Sequence, residues 1–88
     1  MKLKYEFVMN EVADKTVAVA VGDALEAFNG FIKLNDVGAH IFGLLKEDTD
    51  VEKIVEEMKV SYADTPEDEI RETVEEFVGK LKDADLLV

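Results

Sequence analysis

Phe31-Ile32-Lys33-Leu34-Asn35-Asp36-Val37-Gly38-Ala39-His40-Ile41-Phe42-Gly43-Leu44-Leu45 contains the change of period that decides the fold. The part before Asn35 is short and apolar and predicts a strand within residues 28–34. Gly30 weakens the centre of that strand and marks a bulge or a close backbone approach. Asn35 then suits a helix N-cap, because its short side chain can accept a bond from one of the unpaired N–H groups of a first turn. Asp36 follows where the helix dipole favours an anion. Val37, Ile41, Leu44 and Leu45 recur at helical spacing, with Phe42 beside them.

Upstream, Lys15-Thr16-Val17-Ala18-Val19-Ala20-Val21 is β-branched at alternate positions and predicts a second strand. Val17, Val19 and Val21 share one face, and Thr16, Ala18 and Ala20 the other. Residues 3–9 place Tyr5, Phe7 and Met9 in alternation with Lys4, Glu6 and Val8, which predicts another strand. Residues 10–14 are then a hairpin loop. Downstream, Thr49-Asp50-Val51-Glu52 reads as a capping box with Thr49 as the cap, opening a helix with Val51, Ile54, Val55 and Met58 on its apolar face. Thr65-Pro66-Glu67-Asp68 opens a third helix, with Thr65 as cap and Pro66 at the first helical position. Its stripe is Ile70, Val74, Phe77, Val78 and Leu81. The apolar end, Leu86-Leu87-Val88, is expected to dock back on the core. Three strands followed by three helices predict an α+β fold, an antiparallel sheet with a helical bundle on one face.

Eighty-eight residues suit one domain with one core, residues 1–88. Cysteine is absent, which removes disulfides, thiolate metal sites and cysteine nucleophiles. No apolar run approaches the roughly 20 residues of a membrane span, and no signal-peptide pattern opens the chain. A cytoplasmic protein without membrane contact is expected. The net charge is −11 and unevenly placed. Residues 1–45 carry six acidic and four basic groups, whereas residues 46–88 carry fifteen and six. The second half would repel nucleic-acid phosphates and attract basic peptides or basic enzyme surfaces.

No constellation for catalysis stands out. Ser61, Thr16 and Thr73 have no adjacent base, and the lone histidine, His40, lies between Val37 and Leu44 on a helix, where ring packing explains it. The pairs Glu56-Glu57 and Glu75-Glu76 fall on solvated helix faces. The glycines form no phosphate-binding pattern, and no metal motif occurs. The third helix surrounds Arg71 and Lys80 with six acidic residues, so DNA would repel it as a recognition helix. Ser61, in Val60-Ser61-Tyr62, lacks the Asp-Ser-Leu setting of an acyl carrier protein. We therefore expect neither an enzyme nor a nucleic-acid-binding protein, and no cofactor.

Binding remains. A third strand at a sheet edge would leave N–H and C=O groups free to accept an extended peptide. Phe28, Phe31, Ile32, Lys33 and Leu34 would lie beside it. The plainer reading makes Ile32 and Leu34 core residues and the phenylalanines a cover for the loop.

Residues 30–45, with Leu34-Asn35 at the strand–helix junction, Ile41-Phe42 and Leu44-Leu45, resemble the PqqD family, the D protein of pyrroloquinoline-quinone biosynthesis and its relatives. The likeness continues through residues 48–55, through Tyr62, Asp64 and Pro66, and through Phe77-Val78-Gly79-Lys80-Leu81 and Asp85-Leu86-Leu87. Phe42 stands where that family more often has tryptophan, and Asp85 where glycine is usual.

The resemblance implies a winged helix–turn–helix-like RiPP recognition element, a module for ribosomally made and later modified peptides. Such a module is a peptide chaperone for the leader segment of a precursor peptide. The leader adds to the third strand in a groove walled by the third helix and is presented to a modifying enzyme, often a radical-SAM protein. Carried over, the peptide-binding residues would be Phe28, Phe31, Ile32, Lys33 and Leu34 on the strand. Ile70, Val74, Phe77 and Leu81 would line the groove floor, with Arg71 and Lys33 pairing leader carboxylates. The alternative is a homodimeric scaffold domain whose third strand pairs with its own copy.

Overall fold

Alternating valine and alanine along residues 15–20 puts small side chains inward and branched ones outward, and the whole sheet follows from this strand. The computed structural model describes residues 1–22 and 31–88. Within them β1 spans Phe7–Val12, β2 Lys15–Ala20 and β3 Phe31–Leu34, all antiparallel in the order β1-β2-β3. Phe7 pairs with Ala20 and Met9 with Ala18, while Ala18 also faces Ile32 and Thr16 faces Leu34. These residues form the inner face of the sheet. Ala18 and Ala20 are buried because larger side chains would keep the helices from closing on that face. The outer face carries Val8, Val19 and Phe31 in one cross-strand row, with Asn10, Val17 and Lys33 in the next.

The first strand departs from expectation. Residues 3–9 are not one strand: Leu3 makes an isolated antiparallel bridge to Leu87, and β1 begins only at Phe7. The hairpin loop shrinks to Ala13 and Asp14, because Val12 already pairs with Lys15. Ala13 closes it at φ 59°, in the left-handed region.

Helix α1 spans Asp36–Leu44, α2 Val51–Ser61 and α3 Glu67–Asp83. Asn35 caps α1 as expected, accepting a 2.7 Å bond from the Gly38 N–H. The cap of α2 is Asp50 rather than Thr49, its carboxylate accepting from the Lys53 N–H at 2.9 Å. The Thr49 backbone instead donates to the Met1 carbonyl, which draws the residue out of the capping position. Pro66, not Thr65, sits at the N-cap of α3, and no side chain caps that helix. The missing proline N–H leaves nothing unpaired there. Glu67, Asp68 and Glu69 supply negative charge to the first turn.

One core joins sheet and helices. Phe7 meets Phe42 edge to face at 5.2 Å between ring centroids. Ile41, Leu45, Ile54, Val55, Met58, Val74 and Val78 close around them. Phe42, with the smaller ring, is wholly buried. The chain end docks as expected. After α3, Leu86 N–H bonds to Leu81 O and Asp85 N–H to Lys82 O, a Schellman closure whose left-handed residue is Asp85 at φ 59°. Leu86 is then buried, and Val88 N–H bonds to Lys2 O at 2.8 Å.

Candidate functional site

The strand order leaves β3 hydrogen-bonded to β2 on one side, and among the described residues no strand pairs with its other side. Alternate residues of such an edge point their N–H and C=O outward. Beside this edge lies a groove of about 370 Å³ lined by Ile32, Lys33, Leu34 and Asn35 from the β3 side. Phe77, Lys80, Leu81, Ala84 and Leu86 line it from the α3 side. The expected juxtaposition of third strand and third helix is therefore present. A smaller hollow of about 170 Å³, sharing Asn35, Phe77 and Lys80, continues it toward the start of α1.

Local chemistry sets the groove's shape. Leu34 and Leu81 are buried and form its floor, whereas Ile32 and Phe77 are half-buried and offer apolar surface at its walls. The Phe77 ring lies close against α1 because residue 38 is glycine. A Cβ at Gly38 would come within 3.2 Å of Phe77 Cε1 and 3.1 Å of Asn35 Oδ1. Gly38 thus lets one spot serve both the α1 cap and the groove wall. Phe31 is 57% exposed and belongs to the outer face of the sheet, next to the edge but outside the groove lining.

The other expected site residues part company with these. Phe28 lies outside the described residues. Ile70 and Val74 are buried and line a separate hollow of about 320 Å³ with Val37, Met58 and Tyr62, on the α2 side of α3. Neither is among the residues that line the groove beside β3. Arg71 is also turned away, its guanidinium held by both Glu52 carboxylate oxygens at 2.5 and 3.0 Å. Hydrogen bonding to Arg71, reinforced by its charge, holds the Glu52 carboxyl below the usual range. Lys59 does the same to Glu67, so two ion pairs fasten α2 to α3.

Sequence reasoning missed four groove residues, Asn35, Ala84, Leu86 and the charged Lys80. Lys80 is the one with a visible signal. It sits three residues after Phe77 and one before Leu81, on the edge of the stripe, and that spacing was the available signal. His40 packs near the Tyr62 ring, 6.0 Å between centroids, as a boundary residue. Among the described residues no group of three or more His, Cys, Asp or Glu is placed to hold a metal, and no helix is long and apolar enough to cross a membrane.

The fold is shared with a solved structure described as TbiB1 in complex with the TbiA(beta) leader peptide. The match has a TM-score of 0.74 and 24% sequence identity, and covers 99% of this chain and 94% of that one. No curated protein matches the sequence. The family model for coenzyme PQQ synthesis protein D (PqqD) matches residues 15–87, from the start of β2 to the docked chain end. The chain belongs to the PqqD family.

Proposed function

We propose that this protein is a peptide chaperone. It takes up the leader segment of a ribosomally made precursor peptide as an added strand on β3 and presents the rest of that peptide to a modifying enzyme of the radical-SAM class. The observation that carries the reading is the β3 edge, with no strand paired to it among the described residues, standing beside an apolar groove walled by α3. Support also comes from TbiB1, a protein of the same fold whose structure was solved with a leader peptide. Phe31, Ile32, Lys33 and Leu34 flank or pair with the guest, and Phe77 and Leu81 receive its apolar side chains.

Magnitudes divide the work. A four-residue edge strand offers about four outward ladder bonds, at about 1 kcal/mol net each. Ordering a flexible leader removes about 2–5 kcal/mol. Backbone pairing therefore sets register and direction, while net affinity comes from apolar anchors at about 1.5–3 kcal/mol each. The acidic helical surface, remote from β3, is left to meet a basic patch on the enzyme.

The test is a fluorescence-anisotropy titration of labelled candidate leaders from precursor genes neighbouring this one. Saturable binding of one leader, competed by its unlabelled form, is expected. If no such leader binds to the folded protein, the chaperone reading fails.

A further inference from the structure

The chain carries 21 acidic residues and a net charge of −11, yet the groove between β3 and α3 reverses that sign. Its charged lining residues are Lys33 and Lys80, and no carboxylate is among the described residues that line it. The outward-facing residues of the sheet next to it, Val8, Asn10, Val12, Lys15, Val17, Val19, Phe31 and Lys33, also include no carboxylate. Most acidic side chains of the described residues lie on the helices, and one of them, Glu76, lines the small hollow that continues the groove. Lys80 is committed only to a loose contact with Glu76 at 3.6 Å and keeps most of its side chain in solvent. It is free to turn toward a guest. Arg71, expected together with Lys33 to pair leader carboxylates, is tied to Glu52.

We infer that the groove selects an acidic guest: the occupant is an extended peptide that sets an Asp or Glu carboxylate against Lys80, next to an apolar side chain seated on Phe77 and Leu81. This deepens the leader-binding reading and rests on it. The negative field of the helices disfavours such a peptide along their acidic faces, so the lysines of the groove act mainly on register and selectivity. Added salt screens both the local attraction and the overall repulsion, so the informative readout is a charge swap at one atom, not a salt series.

Random 12-residue peptides displayed on mRNA are selected on the intact chain, and the most enriched one is synthesised with its carboxylate and with the matching amide. The expected outcome is enrichment of Asp or Glu at a fixed spacing from an apolar residue. The carboxylate peptide then binds about two- to fivefold tighter than the amide one, the range of an exposed pair. Lys80→Gln abolishes that difference, Lys80→Arg keeps it, and Lys82→Gln, outside the groove, leaves it unchanged. Enriched peptides with no acidic preference, or a carboxylate advantage that survives in Lys80→Gln, would overturn the inference while leaving peptide binding standing. If no peptide is enriched, or if binding is indifferent to Phe77→Ala, the leader-binding reading falls and this inference with it.

Discussion

Replacing Phe77 with alanine separates binding from folding at one residue. The ring is half-buried, close to Gly38 on one side and open on the other to the groove that Leu34 also lines. A fully buried phenylalanine costs about 3–5 kcal/mol when cut to alanine. Phe77 keeps part of its surface in the groove, so a stability loss of about 1–2 kcal/mol is expected. A guest side chain seated on the ring gains about 1.5–2 kcal/mol from burial, and losing that corresponds to roughly ten- to thirtyfold in dissociation constant. The comparison variant is Val78→Ala, whose side chain is 3% exposed, belongs to the core and lines none of the hollows along α3. It should lose about 2 kcal/mol of stability and retain leader affinity. Urea unfolding and leader titration on the same samples give both numbers. Wild-type affinity in folded Phe77→Ala, or an equal loss of affinity in Val78→Ala, would refute the groove assignment.

Gly38→Ala gains helix propensity, about 1 kcal/mol, but strains the Asn35 cap and pushes the Phe77 ring outward. Urea titration should show little net change in stability, and leader titration a several-fold loss of affinity. Asp85→Gly relieves a left-handed residue at the end of α3, a gain of about 1 kcal/mol on the backbone side. It also gives up the 2.9 Å contact with Lys4. The melting temperature should rise by a few degrees, and by more at high salt, where that contact is screened. Glu52 is held below its usual value of 4.5 by Arg71, so its share of stability is complete above pH 4.5 and is lost as the pH falls through the lower folded value. The acid limb of a stability–pH profile should therefore be shallower for Glu52→Gln than for wild type.

What was legible in the sequence was local. Periodicity and caps announced three strands followed by three helices, and Asn35 caps where a short polar side chain before a helical stripe should. What was not legible depends on partners far along the chain. Leu3 leaves the first strand because its partner is Leu87. Thr49 yields the cap to Asp50 because Met1 binds its backbone, and two adjacent capping residues carry no local sign of which will act. The helical stripe of α3 named Ile70, Val74, Phe77 and Leu81 together, but a stripe that wide has two edges. Only the packing of α2 against α3 separates the Ile70–Val74 side from the Phe77–Leu81 side that meets β3. The same packing claims Arg71 for Glu52 and leaves Lys80 for the groove. Resemblance to the family supplied the strand–helix groove, and sheet order supplied the open edge.

Amide hydrogen exchange along β3, followed by NMR with and without a bound leader, tests the central claim most directly. In the free protein, alternate amides of Phe31–Leu34 should exchange quickly because they face outward, while the others are protected by β2. Leader binding should slow the fast ones, since they then donate to the guest strand. Fast amides that stay fast in the saturated complex, or a free protein in which all of them are already protected, would contradict strand addition at β3.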